Sequence, residues 1–353
     1  MIARLSNDRR GAIGRDWRMQ GSVLKATAVL GVSFVSCVLV ASPASAFEMH
    51  LPVQCGDDTP CFVQNYPDME SGSDVADPFC GKAAYGTHRG TDFRLVSMED
   101  AERNVPVLAV AEGRVLRVRD GEEDRLVLTD AERESVSGSE CGNGVVIDHG
   151  GGWETQYCHL KRGSISVTEG DRVAVGTELG AIGASGLTQF PHVHLSVRKD
   201  GVDTDPYTGR ALTDGCDPDL AATEALWSDA ARKALPDERT QLLASGLAGE
   251  VVDHTSLVAE LPATASLGDP VTVGWVKLIN LRQSDRVALE VFDINGALLA
   301  DQISDPMPRH RATQSLYAGR RISPVPGDYD VRVRVLREGR AVIDERKTIL
   351  VTR

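Results

Sequence analysis

Three short histidine-bearing segments have the residue types of a metal site. They are His88-Arg89-Gly90-Thr91-Asp92, Tyr157-Cys158-His159-Leu160 and Pro191-His192-Val193-His194-Leu195. Side chains two residues apart on a strand share a face, so His192 and His194 are expected to project side by side. The first segment adds one imidazole and one carboxylate in a stretch that Gly90 allows to bend. Two histidines and one aspartate leave a fourth zinc position open for water, which is typical of a catalytic site.

Zinc in such a site would supply hydrolytic chemistry. It lowers the pKa of bound water from about 15.7 to about 7 and polarises a carbonyl group. A single histidine on a strand is usually a packing or surface residue, so the prediction depends on the ordered set. We interpret the remaining histidines, His50, His149, His254 and His310, as having no part in the site.

The region that carries these segments has the pattern of a β-sheet domain. From Val105 to Val197, short β-prone runs alternate with glycine turns, and two of them flank Gly150-Gly151-Gly152. A turn centred on Gly150-Gly151 would place residue 143 opposite residue 158. We therefore predict a Cys141–Cys158 disulfide that rigidifies the strand carrying His159. Cys55–Cys61 and Cys80–Cys216 are one way of pairing the other four cysteines.

From Tyr85 to Pro206, about a third of the chain, the sequence resembles the lysostaphin-type (LytM-like) zinc metallopeptidases, which cleave peptidoglycan peptides. The shared motifs are His88-x-Gly90-x-Asp92, Pro106-Val107-x-Ala109, Glu112-Gly113-x-Val115, Gly142-Asn143-Gly144, Tyr157-x-His159-Leu160, Gly170-Asp171-x-Val173, Gly183-x-Ser185-Gly186, His192-x-His194 and Asp205-Pro206. Many relatives have glycine where this chain has Phe190, a difference that would reshape the substrate groove.

The resemblance implies a role for each site residue. His88, Asp92 and His194 would bind one Zn²⁺ per chain. His159 and His192 would act on the attacking water and stabilise the tetrahedral oxyanion.

The N-terminus has the pattern of a signal peptide. Arg15, Arg18 and Lys25 precede an apolar run, and Ala44-Ser45-Ala46 supplies a small-residue cleavage site. We predict cleavage near Ala46, which leaves no stable membrane span and a periplasmic or secreted protein. An uncleaved anchor and lipidation of Cys37 are the alternatives. The six cysteines beyond this site are an even number, as expected of an exported chain with disulfides.

Composition limits the partners. The formal net charge of -13 argues against nucleic acid, whose phosphates require a basic surface. The acidic charge also argues against loose adhesion to anionic wall polymers. The expected substrate, a peptide of peptidoglycan, must therefore be recognised locally or through a partner.

We predict a mainly β fold with four parts. These are a signal peptide (1–46), a disulfide-containing peptidase domain with an antiparallel sheet (47–217), a short helical linker (218–254) and an Ig-like β-sandwich (255–353). The linker prediction rests on the helical composition of Ala221–Leu235 and Glu238–Leu247. The sandwich offers no catalytic set and is a possible surface for a protein partner.

The predicted function is zinc-dependent hydrolysis of peptide bonds in peptidoglycan stems or cross-links. Two alternatives differ in substrate or class. One is a zinc peptidase that acts on proteins or free peptides, and the other is a wall-binding activator of other hydrolases that does not cut.

Overall fold

A computed structural model describes residues 47–56, 58–217, 225–236, 239–254, 257 and 260–352. The predicted signal peptide lies outside these residues. The described chain is mainly β, as predicted, and residues 46–353 form one compact unit. Within the described ranges, no helix combines the length and apolar character that crossing a membrane requires.

The first domain is built on one large antiparallel sheet. Its strands are β1 (Phe62–Asn65), β2 (Thr91–Arg94), β4 (Gly113–Arg119), β5 (Asn143–Gly150), β6 (Trp153–Leu160), β7 (Arg172–Val173), β9 (His192–Lys199) and β10 (Val202–Asp203). Their order is β1-β2-β9-β6-β5-β4-β7, and β10 pairs with the C-terminal end of β9. Two further strands, β3 (Pro106–Leu108) and β8 (Glu178–Ala181), form a separate pair. The sheet therefore places β2, β9 and β6, which carry the histidine motifs, side by side.

Two short helices lie between strands of this domain, and a third lies between β10 and the C-terminal domain. They are α1 (Met98–Glu102), α2 (Asp130–Ser135) and α3 (Asp229–Ala234). Ser97 and Thr129 begin α1 and α2 with capping boxes, in which the serine or threonine side chain accepts a bond from the third helical N–H.

The alternating sequence of β9 explains why the site lies on one face of the sheet. Val193, Leu195 and Val197 are at most 1% exposed and pack into the core. Burial of each such side chain stabilises the fold by roughly 1.5–3 kcal/mol. Because successive side chains point to opposite faces, His192 and His194 emerge together on the other face.

The predicted Cys141–Cys158 disulfide is present, and the other four cysteines pair in the one way named from the sequence. Cys55–Cys61, Cys80–Cys216 and Cys141–Cys158 are bonded. The hairpin register behind the Cys141–Cys158 prediction was nevertheless wrong, because Asn143 pairs with Leu160 rather than with residue 158. Bulges interrupt the β5–β6 ladder at both ends and shift the pairing, while Cys141 still approaches Cys158 from beyond the end of β5.

The C-terminal domain is a β-sandwich, as predicted. One sheet contains β11 (Gln241–Ala248), β12 (Thr272–Leu281) and β15 (Arg311–Arg320). The other contains β13 (Arg286–Phe292), β14 (Leu298–Ile303), β16 (Gly327–Arg337) and β17 (Arg340–Val351). Val276, Leu289 and Val331, all fully buried, belong to the apolar cluster shared by the two sheets.

The helix expected over Glu238–Leu247 was wrong for its described residues. Residues 241–248 form β11, which pairs with β12 and so extends the sandwich into the predicted linker. Leucine, alanine and glutamine favour helices in isolation, but tertiary pairing overrides that preference. Leu243 and Leu247 are buried, and a Cβ on Gly246 would lie 2.6 Å from the Trp275 ring.

The sandwich packs against the β1–β2 edge of the first domain. Asn280 Nδ2 donates to the Gln64 carbonyl at 2.7 Å, and Gln241 Nε2 donates to the Val63 carbonyl at 3.2 Å. Val96 belongs to the same buried apolar cluster as Leu243 and Ile279 of the sandwich.

Candidate metal centre

The structure brings together the three residues predicted to bind a metal. His88 lies just before β2, Asp92 lies within it, and His194 faces Asp92 from β9 in the strand register. Asp92 Oδ1 lies 3.1 Å from His88 Nε2 and 2.8 Å from His194 Nδ1, and the two nitrogens are 3.0 Å apart. Three ligand atoms therefore converge on one point, and the cluster could hold a metal ion.

Each member of the cluster is oriented by a second contact. His88 Nδ1 donates to the Tyr66 carbonyl at 2.7 Å, which directs Nε2 toward the cluster and, in the neutral ring, leaves Nε2 as the nitrogen that can bind a metal. Asn65 Nδ2 donates to Asp92 Oδ2 at 2.7 Å, which leaves Oδ1 directed inward. Ser196 Oγ lies 2.9 Å from His194 Nε2 and is placed to accept its hydrogen. Such contacts fix the tautomer and ring orientation of metal-binding histidines.

Gly90 is required for this packing. A Cβ at this position would lie 2.5 Å from the Leu195 carbonyl oxygen and 2.6 Å from His194 Nε2. The absence of a side chain, rather than a turn with positive φ, brings the first motif close to β9.

The other two predicted histidines lie beside the cluster. The rings of His159 and His192 have centroids 4.5 Å apart, and that of His159 is 6.1 Å from that of His194. His159 Nδ1 donates to the Ser185 carbonyl at 2.7 Å, and His192 Nδ1 donates to the Phe190 carbonyl at 2.8 Å. In both residues Nε2 is therefore the nitrogen left to accept a proton. His192 Nε2 lies 3.6 Å from Asp92 Oδ1.

His159 has an unusual backbone. Its φ is +65°, in the left-handed region that non-glycine residues seldom adopt. It stands next to the disulfide-bonded Cys158, and its N–H donates to the Cys141 carbonyl at 2.8 Å. These bonds hold the strained residue and direct its imidazole toward the cluster.

Burial and charge set the protonation of the site. Burial lowers the pKa of His159 well below its usual range, and the neighbouring His192 lowers it further. Burial likewise lowers the pKa of His192 to about 4 and lowers that of His194. Burial alone would raise the pKa of Asp92, but His88 and His192 outweigh it and hold that pKa well below its usual range. Burial opposes protonation of His88 as well, but Asp92 outweighs it and raises the pKa of His88. The neutral imidazoles of His159, His192 and His194 suit metal binding and proton acceptance.

Several residues of the site carried no motif signal. Asn65, Tyr66 and Ser196 contact the cluster, and Thr188 Oγ1 lies 2.9 Å from His192 Nδ1. Only the position of Ser196, two residues after His194 on the same strand face, could have suggested a contact. His149 lies elsewhere, between the Glu112 carbonyl and Thr155 Oγ1.

Comparison with known proteins supports the assignment of the first domain. Residues 86–206 match the model of a family described as Peptidase family M23. Peptidoglycan DD-endopeptidase ShyC of Vibrio cholerae is 34% identical over 67 residues, which cover 19% of this chain and 15% of ShyC. The chain thus spans a small part of this curated relative. The resemblance to lysostaphin-type peptidases is confirmed.

Solved structures with a similar domain have low overall scores. A zinc-containing peptidase from Vibrio cholerae has 24% identity and a TM-score of 0.26, covering 42% of this chain and 39% of its own. The catalytic domain of lysostaphin from Staphylococcus simulans has 19% identity and a TM-score of 0.27, covering 42% of this chain and 90% of its own.

Proposed function

We propose that the first domain hydrolyses peptide bonds in peptidoglycan stems or cross-links, with one Zn²⁺ bound by His88, Asp92 and His194. The observation that carries the proposal is the convergence of these three ligand atoms, each within 3.1 Å of the others, inside the M23-matching segment. The Vibrio cholerae relative ShyC is a peptidoglycan DD-endopeptidase, which supports peptidoglycan as the substrate class.

The donor set fits zinc. Zinc takes imidazole nitrogen and carboxylate oxygen at about 2.0–2.2 Å, so ligand atoms around a tetrahedral ion lie roughly 3.3 Å apart. The observed separations of 2.8–3.1 Å are a few tenths of an ångström shorter, and a small outward shift accommodates an ion. Zinc bound here would polarise the scissile carbonyl and lower the pKa of a water molecule.

Proton transfer and stabilisation of the oxyanion are assigned to His159 and His192. His159 and His192 present Nε2 because backbone carbonyls hold both Nδ1 hydrogens. One can accept the proton of the attacking water, and in protonated form either can donate to the oxyanion and then to the leaving amine. Their lowered pKa values keep them neutral at pH 7, which is the state required to accept the first proton.

The proposed compartment is the periplasm or the exterior. Three disulfides in one domain suit an oxidising environment, and peptidoglycan lies outside the cytoplasmic membrane. Cleavage near Ala46 is part of this proposal.

Digestion of purified peptidoglycan beside a panel of folded and unfolded proteins tests the proposal. We expect zinc-dependent release of wall peptides, identified by mass spectrometry, and no release by the Asp92→Ala variant. Cleavage of the protein panel alone would indicate a general peptidase. Wall binding without products, from zinc-loaded protein, would instead favour a non-cutting activator.

A further inference from the structure

A cationic pocket lies between the first domain and the sandwich. Its volume is about 500 Å³, and its charged side chains are Arg94 of β2, Lys277 of β12, and Arg309 and Arg311 at the start of β15. No aspartate or glutamate lines it among the described residues. In a chain with a net charge of -13, this concentration of positive charge is contrary to the overall balance.

The arginines of this pocket form no direct ion pair with a carboxylate of the described chain. Within the described ranges, Arg94, Arg309 and Arg311 form no ion pair, and Arg311 Nε is buried without a hydrogen-bond acceptor. The fully buried Arg94 donates to neutral acceptors, the Leu95 carbonyl at 2.8 Å and Gln64 Oε1. Of the three arginines only Arg94 is fully buried, whereas Arg311 is half-buried and Arg309 is exposed. A buried charge without an ion-pair partner is costly, so the pocket is suited to an anion beside Arg94.

Lys277 supplies a further amino group to the wall of the pocket. Its side chain is 2% exposed, and Nζ donates to the Val96 carbonyl at 3.3 Å. Burial, assisted by the charge of Arg94, lowers the pKa of Lys277 to about 7. An anion in the pocket would favour the charged form and offset part of the desolvation.

The pocket shares a wall with the candidate metal centre. Phe190 lines the pocket, and Arg94 Cζ lies 4.4 Å from the centroid of its ring. The same ring has its centroid 4.6 Å from that of His192, and the Phe190 carbonyl accepts the His192 Nδ1 hydrogen. Arg94 also faces His192 in the β2–β9 register. A peptide positioned at His192 would therefore have the pocket on the far side of Phe190.

We propose that this pocket is an anion subsite that receives a carboxylate of the peptide substrate. The sandwich would then take part in substrate selection, because it supplies Lys277, Arg309 and Arg311. Planar guanidinium groups suit this task, since they bind carboxylates through two parallel hydrogen bonds. The inference rests on the proposed function, since a peptide substrate supplies the carboxylate.

The test measures binding to the full-length His159→Ala variant loaded with zinc, so that no substrate is consumed. The probes are a synthetic peptidoglycan stem peptide with free carboxylates, the same peptide with every carboxylate replaced by a carboxamide, and inorganic phosphate. We expect the carboxylate peptide to bind about tenfold or more tightly than the carboxamide, since each bond to a charged group is worth that factor or more. Phosphate should compete with it.

Substitution of the sandwich arginines tests whether the preference for the carboxylate peptide depends on the pocket. The double variant Arg309→Gln with Arg311→Gln should bind the carboxylate peptide about tenfold more weakly. Its affinity for the carboxamide peptide should be unchanged. Arg340→Gln, at the exposed start of β17 and outside the pocket, is the matched control. A normal circular dichroism spectrum and melting temperature establish that each variant is folded.

Three outcomes would overturn the inference. The first is equal affinity for the two peptides, which includes the case in which neither binds measurably. The second is an unchanged preference for the carboxylate peptide in the double variant. The third is phosphate that binds without changing the affinity for the peptide. Hydrolysis by the unmodified chain is scored separately. Its absence counts against the proposed function, whereas the carboxylate preference is measured without turnover.

Discussion

Replacing His192 and His194 one at a time by alanine distinguishes metal ligands from proton-transfer groups on a single strand. The two side chains share a face of β9, but their surroundings differ. His194 Nδ1 lies 2.8 Å from Asp92 Oδ1, whereas His192 Nε2 lies 3.6 Å from it and its Nδ1 is committed to the Phe190 carbonyl. His194→Ala should therefore lose zinc and activity together.

The expected result for His192→Ala is different. Zinc content should stay near one per chain, because the three converging ligand atoms are intact. The rate should fall on the order of 10²–10⁴-fold, the usual contribution of a positioned acid or base. That loss corresponds to about 2.7–5.5 kcal/mol of transition-state stabilisation. His159→Ala should behave in the same way.

The assay combines zinc analysis after exhaustive dialysis with initial rates on a wall peptide. His149→Ala is the matched control, since His149 lies outside the cluster and contacts Glu112 and Thr155 instead. A chelator should abolish hydrolysis by the unmodified chain, and added zinc should restore the activity. Loss of zinc from His192→Ala, together with its retention by His194→Ala, would refute the assignment by exchanging the two roles.

Three further perturbations test other parts of the structure. Asn65→Ala removes the donor to Asp92 Oδ2 and should weaken zinc binding by about 10–100-fold in a competition titration, with an unchanged fold. Metal-free protein should lose stability as the pH falls from about 6.5 to 4, because unfolding lets His192, whose folded-state pKa is about 4, take up a proton. His192→Gln should remove roughly 3 kcal/mol of this dependence, measured by denaturant unfolding. Cys141→Ser with Cys158→Ser should lower activity more than zinc content, since the disulfide supports the strand of His159; equal losses would contradict this role.

The parts of the site that sequence could predict are those with fixed local spacing. His192 and His194 follow from strand alternation, and the pairing of Cys141 with Cys158 needs only an approximate hairpin. The order of motifs along the first domain then identified His88, Asp92 and His159 through resemblance to a family.

The parts that sequence could not predict depend on non-local contacts. Asn65 ends β1 and Tyr66 is the next residue, and no local pattern indicates that this segment borders the cluster. The helical composition of residues 241–248 gave no sign that β12 would recruit them as a strand. The cationic pocket is divided between Arg94 and the sandwich residues 277 and 309–311, which lie far apart in the chain.

The distance along the chain between the converging ligands bears on how the protein folds. His88 and His194 are separated by 106 residues, yet β2, which begins shortly after His88, and β9, which carries His194, are neighbours in the sheet. Closing so long a loop removes chain entropy before the stabilising contacts between the two strands can form. Pairing of β2 with β9 is therefore expected to be a slow, late step of folding. A chain still being synthesised or translocated thus lacks the metal centre until β9 is complete and paired. Zinc that binds once the two strands are paired would stabilise the folded chain by its binding free energy. Removal of zinc by a chelator should therefore speed unfolding as well as stop hydrolysis.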